Sequence, residues 1–349
     1  MLTNRLYYRY LPIRGIKDME SKSKIQLTKD QIIQLVKYSL NKTCIDSQEL
    51  TNGWFNTIHR VTLNDNSTCI LKISPPLSFK VMRYEKDILN TEQQILFLFN
   101  TWGIPSPKVI KYVETNPIFN HPCFFMECVE GITLQSYKEK KRLEGTVDFS
   151  VMNRSLGILQ ADINNLGLQE KKWGLPASGV QYETWGEALN SLVSDLLADA
   201  DDNAVKLPVP AADIQFCFTD AKEYFKDVTQ PSLIHWDLHD GNILVSDEGK
   251  ITGVIDCDRA LYADPLMEFW FRSMANSDED FYTGYKETIH KDIIDFSKLS
   301  KEVIAKRIRL YDLYLALVLR IECAFREYGA DHMQWTEENL KKYLEEVRG

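Results

Sequence analysis

His235, Asp237 and Asn242 fall in a His-x-Asp-x-x-x-x-Asn loop, and Asp256 follows them after two short apolar runs. Those runs, 243–245 and 251–255, are joined by Ser-Asp-Glu-Gly-Lys, a hairpin signal that leaves Asp256 at the end of the second strand. A loop carboxylate can accept the proton of an attacking hydroxyl. An amide oxygen and a second carboxylate supply the hard oxygen ligands that Mg²⁺ needs when it sits against nucleotide phosphates. The set suits phosphoryl transfer, with Asp237 as catalytic base and Asn242 and Asp256 as metal ligands. His235 is expected to buttress the loop, because Mg²⁺ selects oxygen over imidazole. His239 and Asp240, inside the loop, are read as acceptor-side or supporting groups. Asp258 divides evenly between assisting metal or substrate and stabilising its own loop.

These side chains need a scaffold, and the rest of the chain gives its outline. Thr28 opens a capping-box pattern with Gln31, and Ile32, Leu35, Val36 and Leu40 follow at helical spacing. Two strands joined by Asn64-Asp-Asn66 come next, the second covering residues 68–73. Alternation places Lys72 on the face of Ile70, away from Cys69, Leu71 and Ile73. That face suits a nucleotide, with Ile70 against the base and the ammonium on the phosphates. Taken alone, such a lysine would read as an edge-strand residue facing water. Residues 84–99 have helical spacing and contain Glu85 and Glu92. A strand then runs to Val113 after Gly103-Ile-Pro-Ser-Pro107, and residues 124–131 form another that ends in Gly131. Beyond it the pattern turns helical, over 149–168, 183–202, 211–225, 303–328 and 336–347, the last capped by Thr336. Asp264-Pro265 is a helix start leading into an aromatic-rich stretch, 266–274.

The loop, Ile255-Asp256 and Asp264-Pro265 together resemble the catalytic core of the aminoglycoside phosphotransferase and choline kinase superfamily, relatives of the protein kinases. The resemblance spans about residues 50–275. Cys257 and Asp258 follow Asp256 where protein kinases have Phe-Gly, and no Ala-Pro-Glu comes after, so the activation segment is missing. The resemblance implies an α+β, bilobal, protein-kinase-like fold. Residues 1–26 are then a flexible lead-in, and 27–130 a small, mainly antiparallel β lobe with a helix, ending in a hinge. Residues 131–349 are the larger, mainly helical lobe with the catalytic loop and acceptor site. By the same resemblance Glu92 pairs with Lys72, with Glu85 as a competitor. Gly53 and Asn56 belong to a reduced glycine loop, and backbone groups of Glu127 and Val129 bond the adenine edge. The implied activity is transfer of the γ-phosphoryl group of ATP or GTP, with Mg²⁺, to a hydroxyl of a small molecule. A choline, amino-alcohol, sugar or macrolide kinase is the alternative, as is a silent nucleotide-binding protein. A silent scaffold has no need of the full Lys-Glu-Asp-Asn-Asp complement.

The 349 residues exceed the usual size of one core, which fits two lobes. A net charge of −9 argues against a nucleic-acid partner and for a cationic one. Residues 1–43 carry nine Lys or Arg against three acids, a net of +6, so the remainder holds −15. Asp240, Asp258, Asp264 and Glu268 crowd the catalytic region, and Asp312, Glu322 and Glu327 lie in the C-terminal helices. Read as lining an acceptor cleft, they favour a cationic, aminoglycoside-like acceptor. Seven scattered cysteines without a Cys-x-x-Cys pair suit a reducing cytoplasm and give no metal site. No apolar run is long enough to span a membrane, and the sequence leaves the oligomeric state open.

Overall fold

In the computed structural model, which describes residues 23–51, 55–145, 148–269 and 279–349, the Thr28 capping box is made in full. The Thr28 hydroxyl accepts from the Gln31 N–H, and the Gln31 side chain accepts from the Thr28 N–H, which opens α1 (Lys29–Leu40). Ile32, Leu35 and Val36 are its buried face. They pack on an antiparallel five-stranded sheet of order β1-β2-β3-β5-β4, made of β1 (Cys44–Glu49), β2 (Thr57–Leu63), β3 (Thr68–Ile73), β4 (Val109–Val113) and β5 (Cys123–Glu127). Cys69, Leu71 and Ile73 share that apolar cluster with α1. The pleat sends the alternate residues to the other face, where Phe124 and Met126 join the main core and Ile70 packs against it.

On that second face lies α2 (Ile88–Trp102), which starts later than the expected 84–99. Residues 83–85 form a separate 3₁₀ turn, and Asp87 adopts a left-handed conformation, φ 55°, before the helix begins. Gly103, φ 78°, ends the helix, a conformation that costs glycine little.

The second lobe is mainly helical: α3 (Leu134–Leu143), α4 (Ser150–Asn165), α5 (Trp185–Asp202), α6 (Ala211–Asp220), α7 (Glu279–Thr288), α8 (Lys301–Phe325) and α9 (Ala330–Arg348). Short strands carry the site between these helices. β6 (Ile132–Thr133), β8 (Ile243–Val245) and β9 (Ile251–Val254) form one sheet, and β7 (Ser232–Ile234) pairs with β10 (Leu261–Ala263). α4 and α7 touch backbone to backbone, since a Cβ on Gly157 would strike the Phe281 carbonyl and one on Gly284 the Arg154 carbonyl. The architecture is therefore α+β and bilobal, as expected.

Two further boundaries differ from expectation. α9 begins after Gly329, not at a Thr336 cap. Thr336 lies inside the helix, where its hydroxyl donates back to the Met333 carbonyl at 2.8 Å, a bond that threonine makes as readily as a cap. Packing also begins ahead of residue 27, because Ser23 Oγ donates to the Phe55 carbonyl and Ile25 N–H to Thr57 Oγ1. Gly53, residues 1–22 of the lead-in and residues 270–274 of the aromatic stretch lie outside the described residues. No helix among the described residues is long and apolar enough to cross a membrane.

Candidate active site

β7 delivers the chain into the loop, and β8 takes it away after Asn242. Trp236 has φ 56° and Asp256, just past β9, has φ 61°. Both are left-handed values that bulky or charged side chains seldom adopt, and they persist only where neighbours hold them. At Trp236 the holder is Glu268, whose carboxylate accepts the N–H of His235 at 2.5 Å and of Trp236 at 3.2 Å. Glu268 is thus a backbone clamp for the loop rather than an acceptor-facing acid. Its nearness to Asp264-Pro265 is the only sequence signal that marks it. Asp240 faces α3: its carboxylate meets Lys138 at 2.8 Å and its carbonyl accepts the Gln135 N–H at 3.0 Å.

His235 is fully buried. Its Nδ1 accepts the Asp237 N–H at 3.3 Å, so Nε2, 3.0 Å from the Ile255 carbonyl, must be the protonated nitrogen. The ring is neutral and buttresses both the loop and the segment that leads to Asp256. Burial lowers its pKa to about 4. The unfolded chain, with an ordinary histidine pKa of about 6.5, binds the extra proton between those values. Stability therefore falls as pH drops from 6.5 towards 4, by about 3 kcal/mol for this group. Urea unfolding of wild type and His235→Gln at a series of pH values should show the wild type losing stability more steeply in that window. Parallel curves would remove His235 from this role.

Asn242 donates Nδ2 to the Asp237 carbonyl at 3.0 Å and to its carboxylate at 3.3 Å, which leaves Oδ1 as the atom free to face a cation. The Ile255 N–H donates to the Asn242 carbonyl at 3.0 Å, which ties this loop to the segment of Asp256. Burial lifts the Asp237 carboxyl well above the usual carboxylate range; Arg259 opposes the shift, and Asp256 and Asp258 add to it. Water still reaches 23% of the side chain.

Lys72, 1% exposed, lies at the centre of the other half. Its ammonium is 2.5 Å from Glu92, 2.6 Å from Asp256 and 3.4 Å from Asp258. Asn56 Nδ2 donates to Asp258 at 3.2 Å, linking β2 to the same cluster. Burial would strip Lys72 of its proton, but the facing carboxylates outweigh it and hold the ammonium charged. Burial raises the Glu92 and Asp258 carboxyls, which Lys72 opposes. Burial would raise Asp256 too, yet Lys72 wins there and holds it low. The opposed directions come from burial, which favours the neutral acids, set against one ammonium shared by three carboxyls, so Asp256 stays ionised while Glu92 is pushed up to about 8. Oxygens of Glu92, Asp256 and Asp258 lie within 4.8 Å of one another. An all-oxygen set with more carboxyls than the one ammonium fits a hard dication such as Mg²⁺. The expected adenine edge is partly engaged within the sheet, since the Glu127 N–H donates to the Lys108 carbonyl at 2.9 Å. Val129 packs over Gly253, where a Cβ would come within 3.1 Å of its Cγ1.

Glu85, the competitor for Lys72, instead meets Arg326 at 2.5 Å. Glu322 takes Arg259 at 2.7 Å, Arg326 at 3.1 Å and the Tyr84 hydroxyl at 2.8 Å. Burial alone would raise its carboxyl, but the two arginines bring it down to about 2. Asp264 accepts from the Tyr311 hydroxyl at 2.6 Å and the Leu266 N–H at 3.0 Å. Asp258, Asp264, Glu268 and Glu322 are buried and engaged by the protein itself, which corrects their reading as a lining for the acceptor, while Asp240 pairs with Lys138 at 29% exposure. The physical reason is that buried carboxylates need partners, whatever the ligand. No motif announced Arg259 or Arg326, since pairing across 63 or 241 positions is visible only in the fold.

The chain's core is matched by a model of the phosphotransferase enzyme family over residues 46–292. Among solved structures, the chain is similar to a thermostable mutant of the aminoglycoside phosphotransferase APH(4)-Ia in ternary complex with AMP-PNP and hygromycin B. The identity is 16% and the TM-score 0.63, over 91% of this chain and 99% of that one. It is similar to a protein of Thermobifida fusca assigned as a fructosamine-3-kinase, at 16% identity and TM-score 0.62, over 91% and 100%. It is also similar to a type I macrolide 2'-phosphotransferase, at 14% identity and TM-score 0.54, over 90% and 98%. No curated protein matches it in sequence. At these identities the structures speak for the fold alone, while the family match takes in the loop, Asp256, Asp258, Glu92 and Lys72. The chain belongs to the phosphotransferase enzyme family.

Proposed function

We propose that this phosphotransferase moves the γ-phosphoryl group of ATP or GTP onto a hydroxyl of a small molecule, with Asp237 orienting that hydroxyl and receiving its proton. The observation that carries the reading is the buried Lys72 cluster, one ammonium among three carboxyls, joined through Asn242 to the Asp237 loop. Glu92 holds Lys72 extended towards the phosphates; Ile70, Gly53, Asn56 and backbone groups at Glu127 and Val129 complete the nucleotide side. Asn242 Oδ1 and Asp256 would hold Mg²⁺, which, when bound, neutralises charge on the transferring phosphates. The AMP-PNP complex of the structural neighbour supports a nucleotide as donor.

For the acceptor, an aminoglycoside-like cation keeps the −15 carried beyond residue 43 and the hygromycin B of that neighbour in its favour. It loses the local acids, which the protein itself engages. We therefore infer an acceptor held chiefly by hydrogen bonds and packing, with charge a minor part. The experiment is a screen of acceptor-stimulated nucleotide hydrolysis over aminoglycosides, amino alcohols, sugars and macrolides. Hydrolysis that no acceptor stimulates, with no bound nucleotide detectable, would overturn the assignment of donor and acceptor. The acceptor KM should change less than about threefold from about 0.1 M to about 1 M salt, over which the Debye length shrinks from about 10 to about 3 Å. A KM that climbs tenfold or more would restore the polycation.

A further inference from the structure

We infer that Arg326, which lies past the family-matched span, is a positioning residue that clasps the nucleotide-side elements of the sheet lobe onto the lobe carrying Asp237. Arg326 caps α8, its N–H closing on the Glu322 carbonyl at 2.9 Å, and its side chain is 12% exposed. One guanidinium makes three contacts: Glu85 Oε1 at 2.5 Å, Glu322 Oε1 at 3.1 Å and the Phe55 ring, 5.2 Å to its centroid. Both carboxylates meet the one nitrogen Nη2 while the planar guanidinium lies over the ring, a contact that a compact lysine ammonium reproduces only in part.

Each sheet-lobe partner leads straight into the site. Phe55 precedes Asn56, whose amide bonds Asp258. Glu85 precedes α2, the helix that brings Glu92 to Lys72, and its second oxygen fixes the turn by accepting the Met82 N–H at 3.0 Å. On the other side, Glu322 also holds Arg259, three residues past Asp256. Arg259 and Arg326 against Glu85 and Glu322 sum to zero charge, so this network is complete by itself, unlike the Lys72 cluster. A buried charge network of this kind is weak evidence for stability, and its best attested use is to fix geometry. What it fixes here is the approach of two segments, 55–56 and 85–92, to the acids beyond β9.

The affinity arm of the test rests on the nucleotide site proposed above; the exchange arm does not. Full-length wild type, Arg326→Gln, Arg326→Lys, Glu85→Gln and the Gln/Gln double variant are titrated with AMP-PNP and Mg²⁺ well below their Tm. Arg154→Gln, from the exposed Arg154–Glu287 pair, serves as the control. Arg326→Gln should weaken AMP-PNP about tenfold, the factor set by one charge-assisted hydrogen bond. Arg326→Lys should recover part of that, and the double variant should lose no more than the worse single one. Amide hydrogen exchange should quicken at residues 55–60 and 83–95 while α4 and α5 keep their protection. An Arg326→Gln protein with a lowered Tm, but wild-type AMP-PNP affinity and wild-type exchange at those two segments, would make Arg326 merely structural and overturn the inference. If wild type itself fails to bind AMP-PNP, the nucleotide reading falls, and the exchange pattern alone decides the clasp.

Discussion

Asp237→Asn should lower phosphoryl-transfer turnover by about 10²- to 10⁴-fold, the span of a positioned general base, while AMP-PNP affinity stays near the wild-type value. The substitution is nearly isosteric, and the contacts that shape the loop do not depend on the charge it removes. The Asp237 N–H still reaches His235 Nδ1, its carbonyl still accepts from Asn242 Nδ2 and the His239 N–H, and an asparagine oxygen can replace the carboxylate oxygen that Asn242 bonds. What disappears is the carboxylate proposed to accept the hydroxyl proton. Because phosphoryl transfer passes through a loose transition state, part of the role is orientation, which is why the lower end of the range is included. A second signature follows from the raised proton affinity of Asp237. A base works deprotonated, so wild-type kcat/KM should fall as pH drops through its pKa. Burial moves that midpoint above the ordinary aspartate value of about 3.9. The asparagine variant should lose this acid limb. Wild-type turnover, or an unchanged acid limb on the residual rate, would remove Asp237 from the role.

The parts of the molecule legible in the sequence are those where one local rule decides the outcome. Thr28 and Gln31 form a complete capping box, and the alternation of β3 gives the facing of Lys72 without any knowledge of what lies opposite. The loop from His235 to Asn242 is dense enough in chemically distinct residues to be read by spacing alone. What stayed hidden depends on distant partners. β1 is an edge strand with the burial pattern of one buried residue followed by mostly exposed ones, so no alternation marks it. α3 buries only Leu134, so it has no apolar stripe. The acids of the helical lobe were visible as charges but not as pairs. Glu322, Asp264 and Glu268 are aimed at two arginines, a tyrosine and two backbone amides respectively, and that turned an argument about acceptor charge into one about internal neutralisation. A composition count assigns charge to solvent or ligand by default; burial reassigns it.

Removing the two acids that flank Cys257 should separate metal binding from lysine positioning. Asp256→Ala should abolish the Mg²⁺ dependence of nucleotide binding, with affinity for Mg²⁺–AMP-PNP falling at least about 100-fold, the upper loss seen when even an outer-sphere partner of a metal is removed. Asp258→Ala should weaken binding by about tenfold, as the loss of one charge-assisted bond would, and keep the Mg²⁺ response. The ranking comes from exposure and from partners. Asp256 leaves 43% of its side chain open, whereas Glu92 and Asp258 keep 1% and 10%. Asp258 is also committed to Asn56 and Lys72, so its removal loosens β2 without opening a coordination position. Asp256 has only Lys72 to release, and its left-handed backbone aims it off the end of β9. Charge gives a second check. Asp256 is the one carboxyl of the three that Lys72 holds below its ordinary pKa against burial, so its loss removes the anion best placed to meet a dication. Calorimetric titration of both variants with AMP-PNP, in Mg²⁺ and in EDTA, reads the difference directly. Equal losses in the two variants, or a Mg²⁺ response that survives in Asp256→Ala, would mean that the cation is held by a different pair of oxygens, with Glu92 and Asp258 the next to test.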